Sequence, residues 1–213
     1  MTTTALRTDD HRSLNPLQLD ALREVANMGA AHAATALSQM TGGTIMIAVP
    51  RLHVAPLAAV APELAPGEQP VAAVMMDMLG DLTGRTLLVF PKPTVLRLAE
   101  LMLRRPMGSS VALGELEQSA VQEIGNILSG AYLNALSDFM GMVLLPSPPT
   151  LAIGRVDGVI APEFLRLEVS DGAVFVVETE FLMQEAQERL RGFFLLLPDP
   201  ASLRAILRAV RLA

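Results

Sequence analysis

The first long amphipathic pattern in the chain covers residues 17–40. Its apolar side chains recur at helical spacing, and Gly42 and Gly43 follow at the place where helices commonly end. The apolar side of this predicted helix holds Leu22, Val25, Ala26, Gly29, Ala33, Ala36 and Met40. Beta-prone stretches are predicted as strands over residues 44–49, 71–78 and 85–90, and a helix over residues 93–103 closes this half.

The second half of the chain repeats this order. A long helix is predicted over residues 113–140, ending at Gly141, and a final helix begins at Pro200. Between them we expect strands over residues 142–145, 165–169, 173–178 and 192–197. Strands flanked by helices without regular alternation indicate an α+β fold with a pseudo-twofold internal repeat and a largely antiparallel sheet.

We therefore expect a single domain over residues 14–213. Its repeats cover about residues 17–105 and 111–213, and a stretch containing Gly, Pro and Ser at residues 104–110 joins them. Residues 1–13 are polar and are predicted to be a flexible tail. The second repeat is longer than the first by 8 positions, and we place this surplus in a loop around residues 154–162.

The strongest candidate site is a set of polar residues that occurs once in each repeat. The differences 119 − 20, 123 − 24, 126 − 27 and 149 − 50 are all 99. The two sets are Asp20, Glu24, Asn27 and Pro50 in the first repeat, and Ser119, Glu123, Asn126 and Pro149 in the second. With about 100° per helical residue, the first three members of each set share one narrow stripe opposite the apolar side. Packing gives no reason to retain asparagine on an outer face, since its helix propensity is mediocre, so its duplication indicates that its chemistry is used.

Composition and charge remove several other classes of function. The chain has no cysteine and 3 histidines without metal-ligand spacing, which argues against a zinc or thiol enzyme. A formal net charge of −6 argues against nucleic acid and favours a protein partner. The apolar runs are too short to span or insert into a membrane, and the polar start lacks a secretory signal. We expect a cytoplasmic protein.

The spacing of the two sets resembles the motif of the CheC, CheX and FliY phosphatases of bacterial chemotaxis. That motif is Asp or Ser, three residues, Glu, two residues, Asn, then 22 residues and Pro, and both sets match it. The strings at residues 24–30 and 123–136 look most like CheC itself. The resemblance extends over nearly the whole chain, and it implies a pseudo-twofold α+β fold whose two motif helices lie exposed on one side of a shared sheet.

The resemblance also implies a function. It suggests hydrolysis of the aspartyl phosphate on the response regulator CheY, a receiver domain that brings its own Mg²⁺, while this chain binds no cofactor or metal. A carboxamide donates to and accepts from one water, so Asn27 and Asn126 are expected to orient the attacking water. By resemblance, Glu24 and Glu123 engage the active-site lysine of the receiver. Asp20 and Ser119 complete the signature, and Pro50 and Pro149 are expected to shape the chain after each helix.

Two other functions remain open at this stage. The chain is alternatively a binding module for phosphorylated CheY, or a regulator of the receptor deamidase CheD, with weak or no catalysis. It is also alternatively a structural part of the flagellar switch. In each case we expect a monomer when the protein is free.

Overall fold

The structure, a computed structural model, describes residues 15–64, 69–166, 173–183 and 188–212. Within these ranges, the first repeat has three helices and four strands. In chain order they are α1 (Pro16–Thr41), β1 (Ile45–Ile47), β2 (Arg51–Pro56), α2 (Leu57–Leu64), β3 (Val71–Gly80), β4 (Gly84–Pro91) and α3 (Lys92–Met102). The predicted tail, residues 1–13, lies outside the described residues.

The second repeat has the same order of elements. These are α4 (Glu115–Met140), β5 (Leu144–Pro146), β6 (Thr150–Gly154), α5 (Val156–Arg166), β7 (Ala173–Met183), β8 (Glu188–Pro198) and α6 (Pro200–Leu212). The predicted α+β fold with an internal repeat and a largely antiparallel sheet is confirmed, because every described strand pairing is antiparallel.

Two predictions for the second repeat are wrong. The surplus residues do not form a loop at residues 154–162, where β6 ends and α5 begins. Part of the surplus lengthens regular elements, since α5 has 11 residues where α2 has 8, and β8 has 11 where β4 has 8. The predicted strand over residues 165–169 fails at its first two positions, which end α5, and residues 167–169 lie outside the described part.

The sheet exchanges strands between the two repeats. Its order is β1-β7-β8-β4-β3-β5, with β2 also beside β7 and β6 also beside β3. The short strands of the first repeat thus extend the β7–β8 hairpin of the second, and those of the second extend the β3–β4 hairpin of the first. The β4–β8 pairing joins the two hairpins at the centre. Each repeat therefore contributes strands to the hairpin of the other, in one shared sheet.

Both faces of the sheet are buried. On one face, alternate side chains such as Val74, Phe90 and Phe194 form a core with α1, α3, α4 and α6. On the other face, residues such as Val89 and Leu195 form a second core with α2 and α5. The near-continuous apolar runs in β3, β4 and β8 follow from this two-sided burial.

The ends of the two long helices are set by local chemistry. Asn15 caps α1 in a capping box, in which its side chain accepts from the Gln18 N–H and the Gln18 side chain accepts from the Asn15 N–H. Gly42 and Gly141 end α1 and α4 in the left-handed conformation, at φ 75° and 63°, as the sequence predicts.

A buried carboxylate organises the connection between the repeats. Glu100 in α3 is fully buried, and its oxygens accept hydrogen bonds from the Gly108 N–H at 2.7 Å, the Ser110 N–H at 2.5 Å and Arg97 Nη1 at 3.0 Å. Burial raises the pKa of this carboxyl, but the hydrogen bonds outweigh it and hold the pKa below its ordinary value. The predicted joint is thus an ordered loop tied to the first repeat.

No helix within the described ranges is long and apolar enough to cross a membrane.

Candidate functional site

The two motif helices pack against each other on the same face of the sheet. A glycine allows their close approach: a Cβ on Gly29 would lie 2.5 Å from Tyr132 Cδ1 and 3.0 Å from Tyr132 Cα. Gly125 has a similar role between α4 and the sheet, since a Cβ there would lie 2.3 Å from Val74 Cγ1. The backbones that carry the motif residues are therefore held by direct helix–helix and helix–sheet contact.

The side chain of Tyr132 anchors α4 beneath its exposed stripe. Its ring stacks on Phe194 with 4.5 Å between centroids, and its hydroxyl lies 3.0 Å from Thr179 Oγ1. Burial raises the pKa of Tyr132 to about 12, against the smaller, opposite effect of the hydrogen bond with Thr179. A small cavity of about 40 Å³ lies alongside, lined by apolar residues of α1, α4, α6 and the sheet.

The structure places the predicted stripe residues on the outer side of α1 and α4. Glu24 in α1 and Glu123 in α4 are exposed, as are Asp20 and Ser119 one turn earlier. The two asparagines differ, because Asn126 is exposed whereas Asn27 is half-buried. The expectation that both carboxamides face solvent freely thus holds for Asn126 and only in part for Asn27.

The prolines of the two sets lie where each chain enters the strand after its motif helix. Pro50 is buried directly before β2, and Pro149 is half-buried directly before β6. The Gln122 side chain donates from Nε2 to the Pro149 carbonyl over 3.5 Å. Through this weak contact the Pro149 segment lies beside α4 at Gln122, the residue before Glu123.

The surroundings of the two stripes differ in charge. In α1, Arg23 Nη1 donates to Asp20 Oδ1 at 2.9 Å, in an exposed ion pair. The equivalent positions in α4 are Gln122 and Ser119, which carry no charge. Arg23 is not among the predicted site residues, although its spacing of three from Asp20 is a helical ion-pair signal.

The apolar side of both helices largely matches the prediction. On α1 the predicted positions are buried as far as Ala33, but Ala36 is half-buried and Met40 is 41% exposed. On α4 the matching positions are buried apart from Phe139, which is half-buried. The buried arc is wider than the wheel indicates, since Leu37 and Leu133 are also buried. Each helix contacts its partner helix as well as the sheet.

The described residues show no competing metal site. No group of three or more His, Asp or Glu side chains within them is placed to hold one ion. Each stripe offers a carboxylate and a carboxamide three residues apart on a firmly packed helix.

The duplicated arrangement has counterparts among known proteins. The model of the CheC-like family matches residues 17–54 and 116–153, two segments that are themselves 99 positions apart. The relative named "CheY-P phosphatase CheC", from Bacillus subtilis, is 32% identical over 184 residues, which are 85% of this chain and 88% of that protein. The chain belongs to the CheC-like family. Among more distant relatives of this CheC-like chain, the "Flagellar motor switch phosphatase FliY" of Bacillus subtilis is 27% identical over 66% of this chain and 36% of that protein.

Solved structures share the fold of the CheC-like chain at low identity. FliY of Thermotoga maritima has a TM-score of 0.76 at 24% identity, over 93% of this chain and 98% of that one. The middle domain of FliM from H. pylori has a TM-score of 0.63 at 13% identity, over 92% of this chain and 99% of that one. These likenesses establish the fold, and the motif side chains must carry any statement about activity.

Proposed function

We propose that this protein is a phosphatase that hydrolyses the aspartyl phosphate of a CheY-like receiver domain. The observation that carries the proposal is the pair of outward stripes, each with a glutamate and an asparagine, on two helices fixed against one core. The family membership supports it, because a relative that matches 85% of the chain is named a CheY-P phosphatase.

The chemical step needs a positioned water more than a strong base. In the loose transition state of phosphoryl transfer, the attacking oxygen requires alignment with the bond that breaks. Asn27 or Asn126 accepts one hydrogen bond from the water and donates another to its oxygen, which holds it in line. The water oxygen bonds to phosphorus, the bond from phosphorus to the aspartyl oxygen breaks, and both water protons leave with inorganic phosphate. The aspartate returns as a carboxylate.

The glutamates serve to place the helix on its partner. Glu24 and Glu123 lie one turn before the asparagines and are exposed, so each is accessible to a cation on the partner. We assign that cation to the active-site lysine of the receiver. Mg²⁺ accompanies the phosphorylated receiver and offsets the charge of the phosphoryl oxygens. Asp20 already pairs with Arg23, and we assign it and Ser119 a supporting place at the rim of the stripe.

Removal of the carboxamides tests the proposal. CheY of Bacillus subtilis, phosphorylated with acetyl phosphate and present in excess, is the substrate, and release of inorganic phosphate is the readout. Asn27→Ala and Asn126→Ala together are expected to lower the accelerated rate on the order of 10²-fold, towards spontaneous decay. Unchanged thermal unfolding would show that the fold is intact, because neither side chain lies in the core.

A matched control comes from the same helix. Asn134 is an exposed asparagine two turns after Asn126, and Asn134→Ala should leave kcat unchanged. An unmutated rate in the double variant would refute the role of the carboxamides. A wild-type protein that slows the decay of the phosphorylated receiver would instead indicate the binding-module function, with the phosphoryl group protected and not hydrolysed.

A further inference from the structure

Two exposed leucines occupy equivalent places at the start of the motif helices. Leu17 is 79% exposed and Leu116 is 55% exposed. They are 99 positions apart, the same offset that relates the two motif sets, and each is the second residue of its helix. A single exposed leucine is ordinary on a protein surface, but two at matching places need a common cause.

The local structure of the helix starts does not supply that cause. The capping box of α1 uses Asn15 and Gln18, on either side of Leu17. In α4 the first-turn acids Glu115 and Glu117 flank Leu116 and suit the positive end of the helix dipole, whereas a leucine adds nothing to it. Neither leucine belongs to the buried core on this face of the sheet.

Their position on the helix wheel links them to the proposed site. With Asp20 at 0°, Leu17 falls at about 60° and Glu24 at about 40°, so Leu17 extends the same stripe by one turn. Leu116 stands in the same relation to Ser119 and Glu123. Along the helix axis, Leu17 lies roughly 15 Å from Asn27, at 1.5 Å per residue. A domain of about 100 residues has a radius of gyration of about 13 Å, so a partner seated on the asparagine covers the leucine as well.

We propose that Leu17 and Leu116 are docking residues, each of which inserts into an apolar surface of the phosphorylated receiver beside its acyl phosphate. This inference rests on the proposed function and adds a positioning contact to it. The glutamate binds the partner through its charge. The leucine binds it through the hydrophobic effect, because the receiver covers the apolar side chain and removes it from water. Both contacts lie on the N-terminal side of the asparagine, so together they hold the partner on the stripe.

The docking contact is testable in proteins with one working site. In the Asn126→Ala background only the first stripe is active, and Leu17→Gln is expected to raise KM on the order of tenfold with kcat unchanged, as loss of a buried leucine contact implies. In the Asn27→Ala background the same Leu17→Gln change should have no effect, whereas Leu116→Gln should raise KM. Glutamine keeps the length and helix propensity of the side chain.

The matched control is the same substitution on the opposite face. Leu79 in β3 is 48% exposed. It lies on the same face of the strand as the β3 residues of the second core, so it faces away from α1 and α4. Leu79→Gln should leave KM unchanged in both backgrounds. Salt gives a second readout: the rise in KM from Leu17→Gln should persist at high salt, whereas the rise from Glu24→Gln should shrink, because salt screens exposed charges.

Several results would overturn the docking role. An unchanged KM for both leucine variants, with activity still lost in the asparagine variants, refutes the docking contact and leaves the proposed function standing. Absence of phosphatase activity in the wild type refutes the proposed function itself. A lower melting temperature for Leu17→Gln would show that the chain itself covers this leucine. A change in oligomeric state would show that a second copy does, and either result contradicts docking of the receiver.

Discussion

Two glycines inside the motif helices give the sharpest test of how the helices are packed. Gly29 in α1 and Gly130 in α4 are both interior helical positions, where alanine is favoured over glycine by about 1 kcal/mol. Outside its own stretch of helix, a Cβ on Gly130 would meet no atom within 4 Å, whereas one on Gly29 would lie 2.5 Å from the Tyr132 ring and 3.0 Å from its Cα. The propensity term is common to both substitutions, so their difference isolates the clash.

The expected magnitudes follow from these distances. Gly130→Ala should raise the free energy of unfolding by about 1 kcal/mol, or the melting temperature by about 2–4 °C for a chain of this size. Gly29→Ala should be less stable than Gly130→Ala by about 1–3 kcal/mol, the usual cost of overpacking, because the contact with Tyr132 Cα can be relieved only by moving one helix.

Tyr132 itself reports the outcome. The chain has 1 tyrosine and no tryptophan, and the tyrosine lies at the contact between the helices, so its fluorescence during denaturant unfolding follows this interface. Equal stabilisation by both alanine substitutions would refute the close packing of α1 on α4. A Gly29→Ala protein that is destabilised but unchanged in the Tyr132 signal of its folded state would place the strain elsewhere.

Two further predictions concern buried ionisable groups. Glu100→Gln should lower the free energy of unfolding by about 2 kcal/mol near neutral pH, because an amide cannot accept from both backbone donors as the carboxylate does. Because the pKa of Glu100 is lowered, this stabilisation is complete above pH 4.5 and is lost as the pH falls below it. The free energies of unfolding of the variant and the wild type should therefore converge in acid. A difference in denaturant midpoints that stays constant with pH would contradict this. For Tyr132, the tyrosinate absorbance of the folded protein should titrate near pH 12, and the stability due to its neutral form should be lost as the pH rises above 10.0; a folded-state midpoint near 10 would contradict its burial.

The long helices and the strands β3 and β4 could be predicted because their signals are local and long, whereas the predictions for β7 and β8 miss five residues of each of those strands. The pattern over residues 17–40 is observed as Pro16–Thr41, with its glycine stop in place. The apolar runs of β3 and β4 are likewise found within two residues of the predicted bounds. In these segments propensity, periodicity and helix ends agree, and tertiary contacts only reinforce them.

The elements that the sequence analysis missed are short or ambiguous. The helix α2 has 8 residues, an internal proline and an almost wholly apolar sequence, so no periodicity marks it. In α5 a helical signal was present, because Val156, Val159 and Ile160 recur at helical spacing and are buried. The leucines that follow are compatible with a strand, and the strand predicted over residues 165–169 is wrong at its first two positions. The exchange of strands between repeats depends on pairings between residues 75 to 127 positions apart, which no local pattern encodes.

The sequence predicts which side of each helix carries the stripe, but it does not predict how far neighbouring elements cover the stripe residues. The 99-residue offset and the helix wheel suffice to place Glu24 and Glu123 outward. The half-burial of Asn27 depends on how neighbouring elements pack against α1, and the equivalent wheel position in α4 leaves Asn126 exposed. A wheel assigns one angle to both asparagines, so only tertiary structure separates them.

The shared fold does not by itself account for the proposed activity. Two middle domains of FliM have the same fold at 13% and 16% identity, with TM-scores of 0.63 and 0.61, so the sheet and its helices are compatible with very different sequences. Of the motif residues, Glu24, Glu123 and Asn126 are exposed and Asn27 is half-buried, so none of the four is enclosed in the core. Their repetition at one offset in both halves, on two helices that pack closely at Gly29, is the observation on which the proposed function rests.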